Sequence, residues 1–248
     1  MRSWLFIEGD NATKLAKAPH VGADAIVVGV PALQVGETAA EMADAPIVQW
    51  LRDHAGAAFA RWAQIGAVDT PMWRETLAHA MTGKPDGIVL STVAGSVHVR
   101  QLVSELYELE QAHGIAHNTT KIALQLGETP AAALTIPVLA QDEQPRLAAV
   151  MWDAANVARG IGATRTHDAG GSLIDPLRHV RAQTLLLAKA MGVLAVDTVN
   201  SADTANAAMQ DGFTGIAADN PRQVKAINAA FAECESEPET EGRPRIAA

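Results

Sequence analysis

Short apolar runs recur along the chain, separated by longer stretches in which apolar residues follow a helical spacing. The runs occupy positions 3–8, 24–30, 57–64, 86–91, 121–127, 147–153, 193–199 and 213–219. Most are apolar almost throughout, as in Ala25-Ile26-Val27-Val28 and Gly87-Ile88-Val89-Leu90. A strand without polar alternation is one covered on both faces, the condition of a parallel sheet with helices around it. Between the runs, residues 97–113 carry apolar side chains at 99, 102, 103, 106 and 109, which gather on one helical face, and Gly114 stands just beyond as a stop. Residues 175–191 open with Asp175-Pro176, an N-cap followed by proline at the first helical position, and close before Gly192. Eight strands alternating with helices over about 230 residues is the arithmetic of an α/β fold, the (β/α)8 or TIM barrel. An open doubly wound sheet shares the alternation but usually has fewer strands. No Gly-x-Gly-x-x-Gly follows a strand, and Gly160-Ile161-Gly162 falls at the end of a helix-like stretch, so a dinucleotide fingerprint is absent.

Composition narrows the classes of function. The 248 residues are 48% hydrophobic and 19% charged, a globular balance. Acidic residues outnumber basic ones 28 to 19, for a net charge of −9, and no Lys/Arg cluster offers a local exception. That charge repels phosphate backbones and anionic lipid, which excludes nucleic acid and membrane as expected partners. Cys234 is the single cysteine, which fits a reducing compartment. Residues 1–4 carry no apolar leader segment, and no run approaches the ~18 residues of a membrane span. The expectation is a soluble cytoplasmic protein. Residues 232–248 hold five glutamates and two prolines and read as an acidic, disordered tail, which leaves 1–231 as one barrel domain.

In such a barrel the functional groups gather at the C-terminal ends of the strands. The side chains expected there are Glu8 and Asp10, then Arg61 and Gln64, Ser91 and Thr92, Glu128, Asp153 and Asn156, Asp197, and Asp219-Asn220. Carboxylates and carboxamides dominate, with one arginine and no histidine or cysteine. Oxygen ligands alone suit a hard cation such as Mg²⁺ rather than zinc. His113 and His117 stand four apart, but Gly114 between them breaks the helix that would align them.

A set of short motifs runs through the chain in order: Arg2-Ser3-x-Leu5-Phe6-x-x-Gly9, Gly22-Ala23-Asp24-Ala25, Gly87-Ile88-Val89-Leu90, Glu128-Thr129-Pro130, Ala195-Val196-Asp197-Thr198-Val199, Gly212-Phe213-x-Gly215, Pro221-x-Gln223-Val224 and Ile227-Asn228-x-x-Phe231. Each is weak alone; as an ordered set from residue 2 to 231 they resemble the citrate lyase beta-subunit-like group of the HpcH/HpaI aldolase superfamily. The resemblance implies a (β/α)8 barrel, trimeric as a homo-oligomer, that binds Mg²⁺. It also implies a carbon–carbon lyase acting on CoA thioesters of hydroxy acids, such as citryl-CoA or malyl-CoA, to give a keto acid and an acyl-CoA.

The resemblance assigns roles residue by residue. Glu128 of the Glu-Thr motif falls on the family's metal ligand, and through the metal it meets substrate. Arg61 is taken as the arginine of a Val-Arg-Val-Asn-like strand, the catalytic clamp on the oxyanion and carboxylate. The family's second ligand, an aspartate, falls on Asn156, with Asp153 three residues earlier able to supply the missing charge. Asparagine offers only a neutral oxygen, so weak Mg²⁺ binding is expected. The acidic segment after the second strand is replaced by Gly29-Val30-Pro31-Ala32. Each residue also has a plainer reading. Glu128 would cap the helix opening at Thr129-Pro130, Arg61 would pair with a neighbouring carboxylate, Asp153 would be an N-cap and Asp197 a scaffold anchor. The tryptophans read as core or interface, with Trp62 and Trp152 near enough to the site to wall a substrate. The reduced set of charges leaves a second class open, a catalytically silent paralogue that binds a ligand or serves a regulatory or assembly role.

Overall fold

In the computed structural model, which describes residues 1–40, 42–198 and 202–236, all eight runs are strands. They are β1 (Ser3–Glu8), β2 (Ala25–Gly29), β3 (Ala60–Ile65), β4 (Gly87–Leu90), β5 (Lys121–Leu126), β6 (Leu147–Trp152), β7 (Leu194–Thr198) and β8 (Gly215–Ala218). They pair in chain order, all parallel, and β8 closes on β1. The fold is a (β/α)8 barrel. The helices are α1 (Ala12–Lys17), α2 (Pro46–Asp53), α3 (Trp73–Thr82), α4 (Ser96–Ala112), α5 (Pro130–Thr135), α6 (Ala154–Gly160), α7 (Asp175–Met191), α8 (Ala202–Asp211) and α9 (Pro221–Ser236). Among the described residues, no helix is long and apolar enough to cross a membrane.

Differences from the expected boundaries have local causes. Phe213 is apolar, but its N–H bonds Ala208 O at 3.0 Å and closes α8, so β8 begins two residues later. In α7, Asp175 already lies in the first turn and Ile174 is the flanking residue, while Gly192 ends the helix at φ 67°, where a side chain would be strained. α9 continues to Ser236 and takes in the first five residues of the expected tail; 237–248 lie outside the described residues.

The pleat sorts each strand into two sets. Outward residues such as Leu5, Ile7, Ile26, Val28, Ala63 and Ile65 pack under the helices. Inward residues fill the barrel: Trp4, Ala25, Val27, Trp62, Val89, Ala123, Ala149, Met151 and Val196. The rings of Trp4 and Trp62 lie 5.0 Å apart at 47° and occupy the lower interior. Only small neighbours leave them room. A Cβ on Gly87 would stand 2.3 Å from the Trp62 ring.

The N-terminal rim of the barrel is held by ion pairs. Glu110 of α4 is fully buried and accepts from Arg146 Nη1 and Nη2 at 2.6 and 3.0 Å, and from the N–H groups of Asn118 and Thr120 at 2.8 and 2.9 Å. Burial alone would push the Glu110 carboxyl upward, but the Arg146 and backbone hydrogen bonds reverse this and hold it at about 2, against an ordinary 4.5. Because the folded-state value lies below the unfolded one, the contribution is complete above 4.5 and is lost as pH falls from 4.5 toward 2. Glu110→Ala strands Arg146 in the interior and is expected to cost about 3–5 kcal/mol in urea denaturation at neutral pH. Glu110→Gln is expected to flatten the fall in urea midpoint over that acid range.

Candidate functional site

A cavity of about 890 Å³ opens at the C-terminal end of the barrel. Its floor comes from inward strand residues, among them Phe6, Gln64, Gln125 and Met151. Its walls come from Asp153–Asn156, the 166–173 segment between α6 and α7, and the Arg178–Arg181 face of α7. An antiparallel bridge between His167 and Leu173 folds that segment over, and Asp168 Oδ1 accepts from the N–H groups of Gly170 and Ser172 to tighten its turn.

At the rim of the barrel mouth, Glu128 follows β5 after Gly127, whose φ of 76° turns the chain. Its Oε2 accepts from the backbone N–H of Thr92 and from Thr92 Oγ1 at 3.1 Å, and its Oε1 accepts from Asn156 Nδ2 at 2.9 Å. Thr92 adopts φ 55°, a left-handed conformation that a β-branched residue avoids. That strained turn presents the Thr92 N–H to the carboxylate, and such strain concentrates where a backbone group has a job to do. Burial pushes the Glu128 carboxyl above the usual range; the Thr92 and Asn156 bonds oppose this, and the nearby charge of Asp153 adds to it.

Asp153 directly follows β6 and caps α6, its Oδ1 accepting from Asn156 N at 2.7 Å. Asn156 Oδ1 in turn accepts from Arg159 Nη1 at 3.0 Å. A line of hydrogen bonds therefore runs from Arg159 through the Asn156 amide to Glu128. Gly160 packs behind it, where a Cβ would stand 2.1 Å from the Glu128 carbonyl oxygen. The cap of α5 is Thr129, whose Oγ1 accepts from Ala132 N at 3.1 Å, and not Glu128.

The structure thus brings Glu128, Asn156 and Asp153 together. Arg61 needs correction. It is the second residue of β3, on the outward phase of the strand, and is 6% exposed. It forks onto Asp86, Nε to Oδ2 at 3.1 Å and Nη2 to Oδ1 at 2.6 Å, and its Nη1 donates to Leu51 O at 2.5 Å. It is a tie on the N-terminal rim, and the inward position at the upper end of β3 is Gln64. Asp197 takes the scaffold role. It faces outward from β7 and accepts from Trp152 Nε1 at 2.6 Å and from Arg181 Nε and Nη2 at 2.9 and 2.7 Å. Trp62 belongs to the lower interior rather than the wall of the site. Gln125 escaped attention in the sequence although it shares the phase of inward Ala123. Arg159 also escaped it, although it lies one helical turn from Asn156. Among the described residues, no three His, Cys, Asp or Glu side chains converge as a metal cluster, so the cation-capable set is two carboxylates and one carboxamide.

Gly160→Ala has no room to be absorbed by a flexible side chain, since the obstacle is backbone. It is expected to destabilise the fold by about 1–3 kcal/mol, read as a lower thermal midpoint.

The chain matches the model of the HpcH/HpaI aldolase/citrate lyase family over residues 2–221. It is 25% identical to a citrate lyase subunit beta-like protein of Deinococcus radiodurans, across 96% of this chain and 82% of that one. The fold is shared with the citrate lyase beta subunit of Mycobacterium tuberculosis, solved with oxaloacetate and magnesium (TM-score 0.70, 23% identity, 92% of this chain and 96% of that one). CitE of the same organism, with magnesium, acetoacetate and coenzyme A, superposes with a TM-score of 0.68 at 21% identity, covering 98% and 91% of the two chains. RipC of Yersinia pestis gives 0.66 at 22% identity, covering 94% and 98%. With a family match spanning nearly the whole barrel, the chain belongs to the HpcH/HpaI aldolase/citrate lyase family.

Proposed function

We propose that this chain is a Mg²⁺-dependent carbon–carbon lyase of the citrate lyase beta-subunit type. It cleaves or forms a C–C bond in a hydroxyacyl-CoA thioester, with a keto acid and an acyl-CoA as the other partners of the reaction. The observation that carries this reading is the convergence of Glu128, Asp153 and Asn156 at the rim of the barrel mouth. Burial and the charge of Asp153 both push Glu128 toward its neutral form, a condition that a divalent cation between the carboxylates relieves. Asp153 spends only Oδ1 on its cap. The donors are all oxygens, as a hard cation requires.

In this reading Glu128 and Asp153 hold the cation, and the Asn156 oxygen would join as a neutral third donor once its amide turned from its bonds to Glu128 and Arg159. When bound, Mg²⁺ polarises the keto group and steadies charge that develops on its oxygen. The protein's own part is orientation. Thr92 pins Oε2 of Glu128 from one side and Asn156 meets Oε1 from the other, so the carboxylate stays fixed as ligand arrives. The cavity of about 890 Å³ is of the size that encloses a small acid together with part of a thioester.

One observation favours the second reading, a catalytically silent family member that binds a ligand or partner. The Asn156 oxygen already accepts from Arg159, so the second ligand position is both neutral and engaged.

Isothermal titration with Mg²⁺, with and without pyruvate as the keto acid, separates the two. Binding that strengthens with pyruvate and disappears in Glu128→Ala is expected; heat from neither protein would favour the silent reading. Because the Glu128 carboxyl titrates above its ordinary 4.5, the same binding is expected to weaken already at mildly acidic pH, as the proton displaces the cation.

A further inference from the structure

The floor of the cavity is built from amides. Gln64 Nε2, at the upper end of β3, donates to Gln125 Oε1 of β5 at 2.8 Å and to Ser91 Oγ at 3.0 Å. Both hydrogens of the Gln64 amide are spent in this way, while its carbonyl oxygen and the amino group of Gln125 take no part in the pair. Both glutamines line the cavity, so one acceptor and one two-hydrogen donor face the ligand space side by side. Gln125 is 6% exposed, held by strands on both sides, and Phe6 and Met151 give the surrounding floor an apolar character.

No charged side chain joins this floor among the residues that line it. Arg61 points outward to Asp86. The arginines on the wall are Arg178, which pairs with Asp175, and Arg181, which is divided between Asp197 and Asp211. A carboxylate on the floor would therefore exchange its hydration for one amide donor beside an amide oxygen that repels it, without a counter-charge, an unfavourable exchange. A carboxamide presents one oxygen and one N–H to the Gln125 amino group and the Gln64 carbonyl, and a hydroxyl satisfies the same two groups.

We propose that Gln64 and Gln125 set specificity for a ligand whose inner end is uncharged and hydrogen-bonding, a carboxamide or hydroxyl, and whose carboxylate end is held at the rim. The placement of that carboxylate rests on the cation reading above; the choice at the floor rests on the glutamine pair. The natural substrate is then a carboxylic acid bearing a neutral polar group at its far end rather than a dicarboxylate.

Succinamate and succinate share a skeleton and differ only in one amide against one carboxylate. Titrated into the wild-type protein in the presence of Mg²⁺, succinamate is expected to bind about tenfold or more tightly than succinate. Gln64→Arg, which adds a cation to the floor, is expected to reverse the order. Gln125→Leu, checked by its thermal midpoint to be folded, is expected to erase the preference. Equal or tighter binding of succinate by the wild type overturns the proposal, and so does binding of neither acid. In that last case the titration of Mg²⁺ alone and with pyruvate, a keto acid with no second carboxylate, shows whether the cation reading falls with it or stands alone.

Discussion

Two indole rings fill the lower half of the barrel, and the rest of the site depends on that plug. An eight-stranded barrel has an interior just wide enough for side chains, and Trp4 and Trp62, tilted at 47° across 5.0 Å, take up the space of several smaller residues. They are accommodated because Ala25, Ala60, Ala123 and Ala149 surround them and glycine stands at 87 and 215. The bulk sits low, so the next inward positions upward are free to be polar. Gln64 lies two residues beyond Trp62 on the same phase, and Gln125 two beyond Ala123. The plug therefore closes the barrel from below and leaves a cavity open above.

Above the cavity stands one half-buried carboxylate on which the proposed function rests. Glu128 is held between a strained threonine turn and an amide that is itself anchored by an arginine. The arrangement carries more order than a helix cap would need, since Thr129 already caps α5. A carboxylate kept in place against burial and against the charge of Asp153 is a group that a positive partner would stabilise. The Arg159 guanidinium reaches Glu128 only through the Asn156 amide, so part of the positive field around that carboxylate comes from the protein itself.

Most of the barrel was legible in the chain because parallel strands buried on both faces announce themselves as apolar runs, and each of the eight runs contains a strand. The site was legible only where chemistry coincided with chain position. Glu128, Asp153 and Asn156 follow strand ends, and the motif order locates strand ends. Arg61 misled because a motif matched on charge takes no account of the pleat: one residue along a strand moves a side chain from the barrel interior to the helix layer. Gln125 was hidden by its neighbours, a polar residue in a run that reads as apolar. The bond from Arg159 to Asn156 was present in the i, i+3 spacing, but it acquires meaning only once Glu128 is known to lie on the far side of the amide.

The most direct test is to locate a cation. Crystals of the protein grown with pyruvate and soaked in Mn²⁺, which shares the oxygen preference of Mg²⁺ and scatters anomalously, would report its position without assumption about turnover. The predicted result is one anomalous peak in contact with a Glu128 oxygen and within reach of Asp153, on the cavity side of Asn156. A keto acid bound in the cavity with no peak beside Glu128, or a peak placed elsewhere on the barrel, would contradict it.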